Sequence, residues 1–146
     1  MTNVKGNAKG EITAMTTDKD FPGFIAQEKF YSLASGFMYS GWMPLSLDPN
    51  ERRHLRINVS DSAAAPGKTF ILSPENKDAS VVWFKSLLGT TYPPFETTGG
   101  ELTLDQLDKH TGAVSGTFRL TARSSQGESV TITGGTFDLQ PNDQAD

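Results

Sequence analysis

Seven residues near the C-terminus constrain the fold more than any other stretch. Thr117-Phe118-Arg119-Leu120-Thr121-Ala122-Arg123 alternates apolar and polar side chains without a break. Successive side chains of a strand point to opposite faces, so Phe118, Leu120 and Ala122 share one face and Thr117, Arg119, Thr121 and Arg123 the other. That period of two describes a half-buried β-strand and does not fit a helix.

The neighbouring segments extend the pattern. Ser124-Ser125-Gln126-Gly127 reads as a hairpin loop, and Ser129-Val130-Thr131-Ile132-Thr133 alternates again with Val130 and Ile132 inward. After Gly134-Gly135 the phase slips, because Phe137 and Leu139 become the apolar positions. A one-residue slip at a glycine pair predicts a β-bulge. Upstream, Asp108-Lys109-His110-Thr111-Gly112 reads as the tip joining a Glu101–Leu107 strand to one over Ala113–Arg123. The three strands predict an antiparallel meander.

The rest of the chain is punctuated by turn residues: Phe21-Pro22-Gly23, Leu47-Asp48-Pro49-Asn50, Ala65-Pro66-Gly67, Tyr92-Pro93-Pro94 and Thr98-Gly99-Gly100. Such spacing leaves room for short elements, which with abundant Thr and Val predicts an all-β domain. Leu55, Ile57 and Val59 alternate with His54, Arg56 and Asn58, so residues 54–60 read as a strand entered through Asp48-Pro49-Asn50 from one near Gly41–Leu47. Thr69–Leu72 and Ser80–Phe84 are apolar runs suited to strands covered on two sides or lying near a rim. Residues 24–36 are double-valued. Ala26, Phe30, Leu33, Ala34 and Phe37 fit a helical stripe, whereas Phe30, Tyr31, Phe37, Tyr39 and Trp42 suit strands. Their surroundings favour strands, with room for one short helix.

The expected architecture is one domain over residues 1–146, an antiparallel β-sandwich of about eight to ten short strands, with a closed β-barrel as the alternative. Polar ends near 1–9 and 140–146 are expected to fray.

Composition narrows the function classes. The chain has no Cys, which removes disulfides, thiolate metal sites and cysteine nucleophiles. A net charge of −4 argues against general nucleic-acid binding. No apolar run reaches the 18 residues of a transmembrane segment, and no apolar stretch follows the N-terminus as in a signal peptide. As written, the expected location is cytoplasmic; a mature exported chain with a new Met1 would read the same.

From Pro66 to Leu139 the chain resembles an uncharacterised bacterial β-domain family, many of whose members are exported lipoproteins. The resemblance rests on Gly67-Lys68-Thr69-Phe70-Ile71-Leu72, Gly99-Gly100-Glu101-Leu102-Thr103-Leu104, Gly116-Thr117-Phe118 and Val130-Thr131-Ile132-Thr133-Gly134-Gly135-Thr136-Phe137, in that order. It implies an all-β fold and brings no catalytic residues. Exported members carry a signal peptide and a lipid-accepting Cys, and neither occurs here.

Several groupings bear on chemistry. Glu101 and Asp105 or Asp108 could serve glycoside hydrolysis, but along one strand Glu101 and Asp105 stand about 13 Å apart by the ~3.3 Å rise. Asp105 and Asp108 lack the spacing of a calcium loop, and Asp108 reads as a turn acid accepting backbone N–H bonds. His54 and His110 stand in no nucleophile motif, and the glycine pairs match no phosphate-binding loop. No catalytic set, metal site or cofactor site is expected.

Arg52, His54 and Arg56 fall in one outward phase and form a basic row in an acidic chain, suited to an acidic partner or to discouraging strand pairing at an edge. Tyr39 and Tyr92 flank turn signals and could offer exposed faces to a sugar, and the Tyr92-Pro93-Pro94-Phe95 loop could meet a protein. The leading expectation is a non-enzymatic binding or interaction module with a protein partner. The alternatives are a carbohydrate-binding module and a barrel carrying a small apolar ligand among Phe37, Trp42, Trp83 and Phe84.

Overall fold

A computed structural model describes residues 4–34, 36–45 and 48–142. Eleven strands form one continuous antiparallel sheet: β1 (Lys5–Thr16), β2 (Gly23–Ile25), β3 (Glu28–Ser32), β4 (Gly36–Leu45), β5 (Asp48–Ser60), β6 (Thr69–Ile71), β7 (Ala79–Leu87), β8 (Thr90–Thr91), β9 (Glu96–Leu107), β10 (Val114–Arg123) and β11 (Ser129–Pro141). The spatial order is β6-β9-β10-β11-β1-β3-β4-β5-β7-β8, with β2 added on β1. The sheet does not close into a barrel. No helix occurs among the described residues.

Strand β1 makes the sandwich possible. Its first residues, Lys5–Asn7, pair with β3, while Ala8–Thr16 pair with β11. One strand therefore belongs to two layers, and the sheet folds over at it. Residues 5–9 and 140–141, expected to fray, are laddered instead: Ala8 faces Pro141 and Lys9 faces Gln140. Residues 1–3 and 143–146 of the expected frayed ends lie outside the described residues.

The meander forms as expected, with β9 reaching back to Glu96. In β10, Phe118, Leu120 and Ala122 are buried and Thr117, Arg119, Thr121 and Arg123 exposed. The bulge falls at the glycine pair. Phe118 and Leu120 of β10 face Gly135 and Ile132, so Thr133 and Gly134 on β11 stand opposite one residue, Arg119. Gly134 sits at φ +60°, where glycine carries no Cβ penalty. The slip lets both Ile132 and Phe137 point inward, which an unbroken strand could not do.

Residues 24–36 resolve into β2 and β3, so the helical stripe is not realised. Strands are more numerous than expected, and several, of 12 or 13 residues, are long. Asp48 already pairs with Leu45, so the expected 48–50 turn is the start of β5; Ser46 and Leu47 lie outside the described residues. Lys85–Leu87, unassigned by pattern, completes β7, and Leu88-Gly89, both at positive φ, turns the chain into β8. Two positive-φ residues between paired strands are the geometry of a tight hairpin.

The core lies between the layers, centred on Ile12, Phe24, Leu55, Val81, Trp83, Leu102 and Ile132, each without solvent contact. Phe24 meets Trp83 edge to face, 5.6 Å between ring centres.

Candidate functional site

The outer face of β3, β4, β5 and β7 carries the predicted basic row. Register sets Glu28, Trp42, His54 and Phe84 side by side in one line across the strands, and Phe30, Ser40, Arg56 and Val82 in the next. Arg52 lies against the Trp42 ring, its guanidinium carbon 3.7 Å from the ring centre. The His54 ring stacks on Phe84, and Arg56 reaches the same phenyl ring at 5.6 Å. Cationic groups over aromatic faces gain about 0.5–1 kcal/mol at exposed sites.

No carboxylate lies within ion-pair distance of Arg52 or Arg56 among the described residues; the acids engage Arg53, Lys85, Lys109 and Arg119 instead. The face therefore presents two uncompensated cations beside half-buried rings. His54 adds no charge near neutrality. Burial, and secondarily the Arg52 charge, pushes its pKa down to about 4. Its Nε2 lies 2.8 Å from Ser86 Oγ.

Other expected positions fall elsewhere. Tyr39 is buried rather than exposed: β4 turns it into the core beside Tyr31, and its hydroxyl donates to the Gly112 carbonyl at 2.6 Å. Burial, with Tyr31 nearby, raises its pKa far above the ordinary tyrosine value. Tyr92 is exposed, but Phe95 is 5% accessible and inserts beside β7, where its N–H donates to the Trp83 carbonyl. Phe95 therefore anchors its loop, leaving Tyr92 as the outward ring. Phe37 and Trp83 point into the core whereas Trp42 and Phe84 stand on the outer face, so these four line no common cavity.

The hairpin acids are structurally engaged. Glu101 pairs with Arg119 across the strands. Asp108 accepts the N–H groups of His110 and Thr111, and these bonds, Thr111's first, hold its carboxyl below the usual carboxylate range. Among the described residues no cluster of three or more His, Asp or Glu could hold a metal ion.

A second polar assembly lies at one end of the sandwich. Arg53 faces inward on β5, with its Nε 2.7 Å from Asp18 Oδ2 and its Nη1 3.0 Å from Glu51 Oε2. Its guanidinium covers the Phe21 ring at 4.5 Å. Thr17, beside Asp18, exchanges hydrogen bonds with Thr131, which ties the β1–β2 loop to β11.

Protein families, curated proteins and solved structures offer no match to this chain.

Sequence reasoning missed Arg53, although a signal existed. Arg53 shares the phase of Leu55, Ile57 and Val59, which places a charge on the inward side. A buried charge needs partners, and the acids at 18, 20 and 51 were available to supply them. The Lys85–Glu128 ion pair, 2.8 Å long, carried no such signal because 43 residues separate its members.

Proposed function

We propose that this chain is a non-enzymatic binding module whose β3–β4–β5–β7 outer face receives an acidic segment of a protein partner. One observation carries the reading: Arg52 and Arg56, unpaired with any carboxylate of the described residues, flank His54 on a face that also offers Trp42 and Phe84. Trp and Arg dominate the residues that contribute most to protein interfaces. A guanidinium recognises a carboxylate through two parallel hydrogen bonds, which supplies orientation as well as attraction. Elsewhere the chain is acidic, so the face favours association with a negative surface in one orientation.

The expected role of discouraging pairing at an edge does not apply, because β5 is paired with β4 on one side and β7 on the other; the alternative for these residues is a plain solvated face. That alternative needs no partner, and an interaction assay separates the two. The chain is immobilised and exposed to lysate of the cells that make it. A stoichiometric protein retained by the native chain and released by Arg56→Glu supports the reading; retention unchanged by that substitution removes the face from consideration.

A further inference from the structure

We propose a second binding site, for a neutral saccharide, in the groove at the end of the sandwich where the β1–β2 loop, the β8–β9 loop and the β10–β11 hairpin converge. This site is separate from the outer face of β5. Two recesses make up the groove. The inner one, about 200 Å³, lies between Arg53, Trp83 and the Lys85–Glu128 pair. The outer one, about 340 Å³, shares Lys85, Phe95 and Glu128 and adds Tyr92 and Pro93. Together they reach the lower part of the ~300–1,000 Å³ range of small-molecule sites.

The lining selects the ligand class. Around the inner recess the cations Lys19, Arg53 and Lys85 are matched by Asp18, Asp20 and Glu128. In the outer recess Lys85 is matched by Glu128. Balanced walls give no net attraction to an anion or a cation, but they offer donors and acceptors side by side. A ring of hydroxyls, each both donor and acceptor, satisfies such walls. The aromatic side of the groove fits the apolar face of the same molecule: Tyr92 is 44% accessible, and Pro93 adjoins it.

A further feature is not explained by the ion pairs. Trp83 is fully buried, and its indole N–H meets no acceptor among the described residues. A buried donor without an acceptor costs about 1–3 kcal/mol. Arg53 is fixed by Asp18 and Glu51, but its Nη2 stands 4.0 Å from Asp20 Oδ2, beyond hydrogen-bond reach. The Trp83 N–H lies beneath the wall of the inner recess, out of contact with solvent, so it reports on occupancy of the groove without touching the ligand, and Arg53 with its acids forms part of that wall.

The test uses the full chain, ¹⁵N-labelled, with maltose, cellobiose, lactose and chitobiose as probes, each at about 10 mM to reveal binding in the ~1 mM class. Saturable movement of the Trp83 indole N–H resonance with at least one probe is expected. Tyr92→Ala and Glu128→Gln, both at accessible positions that leave the core intact, should each weaken that binding roughly three- to tenfold. Arg56→Glu, on the other face, should leave it unchanged. No movement with any probe overturns the proposal. So does movement that survives both groove substitutions, or equal movement with gluconate or glucosamine, since charge balance would then not select the ligand.

Discussion

The imidazole of His54 lies flat on the ring of Phe84, 4.5 Å between centres and 8° from parallel, while its Nε2 meets Ser86 Oγ. The contact links adjacent strands on the face that carries Arg52 and Arg56. Burial, and secondarily the Arg52 charge, keeps the imidazole neutral at physiological pH, so the two arginines alone give the row its charge.

His54 should therefore titrate near pH 4 rather than near its ordinary 6.5. The native state resists the proton that the unfolded chain accepts. The contribution to stability is complete above about pH 6.5, falls as the pH drops toward 4, and changes no further below that. NMR titration of the ring protons gives the midpoint, which Phe84→Ala should move upward by exposing the imidazole. A midpoint unmoved by that substitution would separate the shift from the stack.

Arg53 should be among the costliest polar residues to remove. Arg53→Ala leaves Asp18, 8% exposed at its side chain, without its cation. Breaking one side of a buried pair typically costs about 3–5 kcal/mol. Asp18→Asn should cost less, and the double variant less than the sum of the two. Urea unfolding of the four proteins measures the coupling, and additive losses would show that the pair acts independently.

Close approach of β9 and β10 depends on Gly116. A Cβ there would fall 2.0 Å from the Thr103 carbonyl oxygen, whereas one at Gly99 would meet nothing nearer than Thr121 Oγ1 at 3.8 Å. Gly116→Ala should lower stability by about 2–4 kcal/mol, and Gly99→Ala by less than ~1 kcal/mol. Thermal unfolding of both distinguishes steric need from a general preference for glycine.

The β7–β8 turn is built against preference. Leu88 holds φ +53° with 73% of its surface exposed, so it carries left-handed strain with little packing in return. Leu88→Gly or Leu88→Asn should raise stability by about 0.5–1 kcal/mol. A loss on both substitutions would mean that the side chain makes contacts that outweigh the strain.

Much of the fold was legible because burial on one face imposes a period of two. Strand β10, the β11 bulge and the outward Arg52, His54 and Arg56 all followed from that rule. Strand β1 did not. Lys5, Gly6, Asn7, Lys9, Gly10 and Glu11 read as a polar end, and their order comes from pairing with β3 and β11, partners distant in sequence. Tyr39 was misplaced because a nearby Gly suggested a turn, whereas β4 runs straight through Ser40-Gly41. The sandwich was the expected form, and the closed barrel stayed its alternative because alternation sets the faces of strands but not whether the outer ones join. The groove was illegible for the same reason that Lys85 and Glu128 were: its walls come from five separate parts of the chain.

The most direct test of the binding face compares charge reversal on the outer faces of the two layers. Arg56→Glu alters the proposed contact, and Arg123→Glu, exposed on β10, makes the same change in net charge on the opposite layer. Affinity for the captured partner is measured for each variant and for the native chain at matched salt. The binding account predicts at least a tenfold loss, about 1.4 kcal/mol, for Arg56→Glu and little change for Arg123→Glu. Equal affinities for the two variants would contradict it.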